Sequence, residues 1–482
     1  MTRQDSRRKK LERAEPSSGA AASQPPPPVP PPTEGEAAAA PQGEQPGLVP
    51  AVRRWASTHR VELLIFAGAF LVLASFSSQR FLRQSEAPHF VYQAKAWLDG
   101  RMDLDPRSLP NLEDWACVRE VNGRKVRCEG QVLATDRWYV SFPAFPSAVM
   151  LPFVAVNGYQ LNDTSLTVFA AALALAAFFS LLRRLSDSGE SGRQEWENVV
   201  LALLLGFGTV FFSCAIRGEV WFTAEVMGVA LTCWYLSHSV GARRPVLAGL
   251  FYSMAVLTRT PLLFTGIFFV MEAACPGPDR MAQLRALRQQ WRGPLRKVAL
   301  FAAGAAPLAL IAAVMNVVRF GSPGEFGHRF LYNNRVNVDI DRFGLFSLEY
   351  LPRNLEAAFT KFPTVQLSPF RLIYDPHGMS LLLTLPVLLL VLVPKEKRRL
   401  QWPLWVAVAL CALPGLAYQN TGYMQFGFRF SLDWTPYVII LLALSGWSLK
   451  DLWTSLLMTL GFLVNFWGAV AFRGYTEFVR RW

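Results

Sequence analysis

"VLAGLFYSMAVLTRTPLLFTGIFFVMEAA" (Val246–Ala274) is an apolar run of 29 residues broken near its middle by Thr258-Arg259-Thr260-Pro261. As one helix it would be about 44 Å long at 1.5 Å per residue, with Arg259 at mid-membrane, where a guanidinium is costly. Both flanks are basic: Arg243 and Arg244 precede it, and a cluster from Arg280 to Lys297 follows. Basic flanks favour the cytoplasmic side, so the run must leave and return. Two short helices with a turn at Arg259 satisfy both constraints.

The rest of the chain fits the same reading. Its 482 residues are 52% hydrophobic, 13% aromatic and 17% charged, against roughly 25% charged in soluble domains. Further apolar runs fall near 61–79, 164–182, 198–215, 221–239, 298–318, 379–393, 402–418, 434–449 and 452–471. Most reach or approach the ~20 residues that cross a bilayer core as helices. With the central run crossing twice, the expectation is an all-α polytopic membrane protein of about eleven transmembrane helices, N-terminus inside. The short connections at Arg183-Arg184, Arg243-Arg244 and Lys395 to Arg399 then lie inside as well. The net charge of +13 suits cytoplasmic loops against anionic lipid. It is spread between spans rather than gathered in one module, which argues against nucleic acid.

Residues 1–60 carry "SRRKKLER", "PPPPVPPP" and an Ala/Gly/Glu/Pro mixture. Such a tail cannot bury enough apolar surface to fold, so it reads as a disordered, proline-rich cytoplasmic segment ahead of a membrane domain over 61–482. The alternation puts three segments outside: 80–163, 319–377 and 419–433. The first two are far longer than a connection requires and are rich in Trp, Tyr, Phe and Pro, so function is expected on the outer face.

The first outer segment has two local signatures. In "RQSEAPHFVYQAKAWLDG" (83–100) Pro88 suits a helix start and Gly100 a helix stop. Phe90, Val91, Ala94, Trp97 and Leu98 recur at helical spacing, which predicts an interfacial amphipathic helix with that face toward lipid or the bundle. A second short helix is expected over "FPSAVMLPFVAV" (145–156). Further on, Asn122-Gly123 is a hairpin turn signal. Folding about it sets Cys117 opposite Cys128 within disulfide range, in the oxidising compartment that a disulfide needs.

The acid after the first span, the amphipathic helix ending in Gly and the "LDP" that follows resemble the start of the first outer loop in GT-C class integral-membrane glycosyltransferases. "YVSFPAFPSAVMLP" (139–152), "GLFYSMAVLTRTP" (249–261), "RFGSPGEFGHRF" (319–330) and "GYMQFGFRFSLDWTP" (422–436) are similar to segments of the bacterial protein-mannosyltransferase-like branch. One departure is that the family's Asp-Glu is here Ser85-Glu86.

The resemblance implies transfer of a sugar from a polyprenyl-phosphate donor to a glycan, lipid or protein acceptor at the extracytoplasmic face of a bacterial cytoplasmic membrane. Inverting transfer needs a carboxylate to take the acceptor's proton and cations against the phosphate leaving group. Glu86 is the expected base, with Glu219 as an alternative or second acid. Arg217, Arg259, Arg329 and Arg429 are candidate phosphate binders, and His89, Tyr92, His328 and Tyr423 candidate substrate contacts. Trp138, Tyr139 and Tyr332 are further candidates for sugar stacking. Asp433, four residues after Arg429, reads as its ion-pair partner. The sequence defines no cofactor and no metal site, and its acids leave room for a divalent cation such as Mg or Mn. Two other classes fit less well: a transporter or flippase of a lipid-linked sugar, which needs polar groups through mid-membrane, and an inactive envelope-assembly protein.

Overall fold

The computed structural model describes residues 56–110, 114–277, 282–283, 285, 289–332, 334–368 and 370–471. The proline-rich tail, residues 1–55, and most of the basic stretch from Arg280 to Arg288 lie outside them.

Five helices are long and apolar enough to cross a membrane: Arg60–Leu82, Asp163–Asp187, Val220–Ala242, Arg292–Phe320 and Leu452–Ala471. We label the regular helices α1 (Arg60–Ser77), α2 (His89–Leu98), α3 (Phe145–Asn157), α4 (Asp163–Asp187), α5 (Glu195–Phe207), α6 (Val220–Ser239), α7 (Pro245–Val256), α8 (Gly266–Ala274), α9 (Arg292–Phe320), α10 (Gln401–Leu416), α11 (Thr435–Ala443) and α12 (Leu452–Ala471). Among the described residues the remaining apolar runs form shorter or broken helices. The run at 198–215 breaks after Phe207, and that at 379–393 splits into Leu381–Thr384 and Leu388–Leu392, ahead of and behind Leu385-Pro386. By length and apolarity five helices stand as candidate crossings among the described residues, and a count of eleven requires the shorter and broken helices to cross as well.

The central apolar run is two helices. α7 ends at Val256, a 3-10 turn runs from Thr260 to Thr265, and α8 follows. They fold back on one another: the Tyr252 hydroxyl donates to Leu263 O at 2.6 Å, and the Glu272 carboxylate accepts from Gly241 N–H at 2.8 Å. The start of α7 and the end of α8 thus meet at one end of the bundle, with Arg259 at the other. Glycines let the hairpin dock on α9: a Cβ on Gly249 would lie 1.9 Å from Phe301 O, and one on Gly304 2.1 Å from Val246 O.

Burial ranks the helices. The apolar stretch of Val220–Ala242 is 83% buried and forms the centre; those of Arg60–Leu82 and Arg292–Phe320 are 22% and 11% buried and form the rim. Rim side chains such as Leu64, Leu71, Leu310 and Val314 are more than 60% exposed. In water such an apolar exterior would aggregate; in a bilayer it is the lipid-facing surface.

Polar ties sort the ends of the bundle. At one end Glu62 pairs with Arg183, Lys395 with Asp451, and Arg399 with both Glu190 and Glu272. At the other, the Ser77 hydroxyl donates to Ile216 O at 2.8 Å and Val220 N–H to Ala87 O at 3.0 Å.

The long segments between helices at this second end form a cap. Strands β1 (Trp115–Val121), β2 (Arg124–Arg127) and β3 (Arg137–Val140) make an antiparallel sheet in the order β2-β1-β3. Asn122 and Gly123 both have positive φ, as a two-residue type I′ turn requires. Cys117 and Cys128 are joined, Cα atoms 5.4 Å apart, and Cys128 N–H donates to Cys117 O. The segment after α9 returns to this sheet, with Leu331 bridging Ala116 and Tyr332 N–H donating to Trp115 O at 2.9 Å.

α2 differs from its sequence reading in the face it buries. Phe90, Val91 and Ala94 are buried together with His89, Gln93 and Ala96, against α3 and the sheet, while Leu98 is 45% exposed. The buried face is therefore turned one residue toward the N-terminus of each apolar pair, and of the two surroundings expected for it, lipid or the bundle, it packs on protein.

Candidate functional site

At the end of the bundle that holds the hairpin tip, four charged side chains converge on α6. Glu225, one turn into α6, has a fully buried side chain and accepts from Arg429 Nε at 3.0 Å. Arg259, at the tip of the α7–α8 hairpin, donates to both oxygens of Asp433 at 2.9 and 2.7 Å and lies 3.9 Å from Glu225. Two acids and two arginines so form one chain, Arg429–Glu225–Arg259–Asp433. A bidentate arginine–carboxylate contact fixes both groups in plane. Gly228 on α6 leaves room for the stem of Arg259, whose Cγ would be 2.9 Å from a Cβ there.

Asp433 is thus the partner of Arg259, not of Arg429. Residues 429–433 form a 3-10 helix, in which positions i and i+3 eclipse, so i+4 points elsewhere. Aromatic rings wall the arginines: Arg429 and Arg259 lie 5.1 and 5.5 Å from the Phe430 ring centre, and Arg217 lies 4.7 Å from that of Phe222, which Arg429 also faces. Arg259 and Arg217 keep 16% and 15% of their side chains exposed, against 7% for Arg429, so they are the arginines that a ligand from outside meets first.

Glu219 caps the start of α6 and pairs with Arg217 at 2.8 Å. Burial pushes its carboxyl up, but the charge and hydrogen bond of Arg217 outweigh that and hold it below the ordinary value. It is ionised and engaged at neutral pH. The loop that carries it runs tight against α4: a Cβ on Gly218 would be 2.4 Å from Thr164 Oγ1.

Glu86 stands on the strap between α1 and α2. Gln84 donates to Tyr159 O and, at 3.0 Å, to Leu161 O. Ser85 donates from its N–H and its hydroxyl to the two oxygens of Asp163, at 2.8 and 2.6 Å. Ala87 O accepts from Val220 N–H. Within 84–87 Glu86 alone is exposed.

Other candidates lie further from this centre. His89 is 3% exposed and stacked on Trp115, ring centres 3.8 Å apart, with Phe142 and Trp221 beside it; burial pushes its pKa down to about 4. It is a packing histidine rather than a substrate contact. Tyr92 rests against Trp115 and Tyr159. His328 packs on Phe142, Phe326 and Tyr418, and burial holds it too near 4. Arg329 is a surface residue, 64% exposed and 3.8 Å from Glu325. Tyr423 faces His377, although its carbonyl accepts from Arg429 at 3.3 Å. Trp138 and Tyr139 are buried in the cap and Tyr332 packs on Trp138, so these three do not form an open sugar platform.

Among the described residues Cys117, Cys128 and Asp136 are the one set of three grouped tightly enough to hold a metal. Its thiols are used in the disulfide and its carboxylate is held by Arg119 at 2.8 Å, so it is not a metal centre.

An apolar groove of about 430 Å³ opens beside the hairpin tip. Trp97, Phe145, Leu257, Leu308, Ile311 and Met315 line it, Arg101 stands at its rim, and Phe145 N–H holds Leu257 O, two residues before Arg259. Sequence reasoning missed Glu225 and Asp163. An ionisable residue inside an apolar run was the available signal for the first. Compared with known proteins, the chain matches no family model and no curated protein sequence.

Proposed function

We propose that the chain is a polytopic membrane glycosyltransferase that moves a sugar from a polyprenyl-phosphate donor to an acceptor at the outer face of a bacterial cytoplasmic membrane. The observation that carries the reading is the juxtaposition, at one end of an apolar bundle, of part-exposed arginines with an apolar groove whose wall continues into one of them. A ligand with a phosphate head and a hydrocarbon chain matches that pairing. The chain would lie in the groove along α3 and α9, and the phosphate would meet Arg259, with Arg217 as a second cation. The eleven crossings read from the sequence, N-terminus inside, would put this end outside.

In this reading Glu86 takes the proton from the acceptor hydroxyl as its oxygen attacks the anomeric carbon. The bond from that carbon to the phosphate oxygen breaks, its electron pair stays on the phosphate, and the configuration inverts. Arginine neutralises the charge left on polyprenyl phosphate, and such electrostatic stabilisation commonly contributes more to catalysis than any other single effect. Glu225 and Asp433 hold the arginines in place before the donor arrives. Glu86, the groove and the chain Arg429–Glu225–Arg259–Asp433 gather at the same end, which suits a reaction at one surface better than a route across the membrane.

The test is sugar transfer from a radiolabelled polyprenyl-phosphate donor in membranes carrying the chain. Transfer should be lost in Glu86→Gln and fall on the order of 100-fold or more in Arg259→Ala, the range seen on removing one stabilising donor. Undiminished transfer by Glu86→Gln would remove Glu86 as the base. Vesicle uptake of a lipid-linked sugar with no covalent product would replace the whole reading by a transporter.

A further inference from the structure

Asp163 poses a question that helix stability does not answer. It is 1% exposed, at the first turn of α4. An acid there is favoured by the helix dipole, but that effect needs no specific partner and is satisfied by an exposed side chain. Here the carboxylate is buried, which is costly for a charge, and its two oxygens both engage one neutral residue, Ser85. The N-cap hydrogen bond of α4 is already supplied by Asn162, which accepts from Ser165 N–H at 3.0 Å. Asp163 is therefore free to hold something other than its own helix.

What it holds is the residue before Glu86, while Val220 N–H holds the residue after it. Gln84, one step further back, is fixed to the turn at Tyr159 and Leu161, and Asn162 reaches back to Phe81 O at 2.6 Å. The strap is thus tied on both sides of one exposed carboxylate, to the starts of two different helices, α4 and α6. Gly218 lets those two helix starts approach closely.

We propose that Asp163 is a positioning residue: through Ser85 it fixes the strap so that the Glu86 carboxylate is presented at a set place and angle, and Ser85 serves by donating both hydrogen bonds of the clamp rather than by acting as an acid itself. The inference rests on the glycosyl-transfer reading for its catalytic half and on geometry alone for the clamp. It also gives Ser85, which stands where the resembling enzymes have an acid, a task of its own.

The experiment separates the two halves. A nitroxide is placed at position 86 by Glu86→Cys in the full chain, in lipid nanodiscs, with Cys275→Ser to remove the least buried native thiol. Electron paramagnetic resonance should show a restricted label that becomes mobile in Ser85→Ala and in Asp163→Ala, while a label at Glu120→Cys on β1 does not change. In the chain with Glu86 intact, Ser85→Ala should lower kcat about ten- to hundredfold, the range that small displacements of a reacting group produce, with KM changed less than about twofold. Ser85→Thr, which keeps the hydroxyl, should restore most of the rate.

An unchanged label at position 86, or a kcat that does not move when the label is freed, overturns the proposal. If Asp163→Ala fails to fold, Ser85→Ala carries the test, since it leaves α4 intact. Absence of transfer by the unaltered chain would overturn the catalytic half together with the proposed function. The mobility of the label would still decide whether the clamp exists.

Discussion

His89 makes the cap sensitive to pH in a calculable way. Its ring is stacked on Trp115 and 3% exposed, and burial pushes its pKa from the ordinary 6.5 to about 4. The folded state therefore binds this proton less readily than an opened state does. Stability is complete above about pH 6.5 and is lost as the pH falls toward about 4. At pH 5 the loss is roughly 2 kcal/mol, about a 30-fold rise in the population of the opened state. Hydrogen exchange of the α2 amides, His89 to Leu98, read by mass spectrometry and corrected for intrinsic exchange, measures this directly. Protection should fall about 20-fold between pH 7 and pH 5. His89→Phe keeps a ring over Trp115 and cannot titrate, so its protection should stay flat. Equal losses in the two proteins, or no loss in the unaltered chain, would refute the argument. His328 lies across Phe142 from His89 and is also held near 4, so exchange at residues 328–330 reports its titration separately.

Other outcomes follow from single contacts. Replacing Cys117 and Cys128 by Ala removes a crosslink spanning 11 residues and should destabilise the cap by about 3 kcal/mol, seen as faster proteolysis within 115–140. Gly218→Ala puts a Cβ against Thr164 Oγ1 and the Thr164 backbone N, at 2.4 and 2.6 Å; the loop must shift, so thermal stability should fall by about 1–3 kcal/mol and sugar transfer with it. Arg399→Ala leaves the fully buried Glu272 side chain without its cation, a loss of roughly 3–5 kcal/mol in thermal unfolding. Arg399→Met combined with Glu272→Leu should recover much of it, because no buried charge is then left alone.

The long helices were legible because length and apolarity are all that a bilayer asks of them, and the break at Arg259 because charge on both flanks of one run forces a return. The turn at Asn122-Gly123 could be read because few residue pairs accept positive φ twice. The interior of the site was not. Glu225 is a single acid in an apolar run of α6, so averaging hydropathy along the run erases it, although its charge is what gathers Arg429 and Arg259. The Arg429–Asp433 pairing misled because it assumes α-helical spacing in a segment that is a 3-10 turn. Asp163 looked like an ordinary first-turn acid, and only the path of residues 84–87 gives it a different meaning. In each case the missing information is which distant segment comes alongside, and one sequence does not contain it.

The bridge from Leu331 to Ala116 has a consequence for how the protein is made. The first half of β1 offers one edge to β3 and leaves the other open until residues 331 and 332 arrive, more than 200 positions later in the chain. At about 5–20 residues per second of synthesis, that edge waits roughly 10–40 s while several helices are still to be inserted. An open edge pairs readily with other chains. The crosslink from Cys117 to Cys128 closes within the hairpin itself and needs nothing downstream. It can therefore hold the nascent cap in register through the interval, a service to assembly that is finished before the rest of the protein exists.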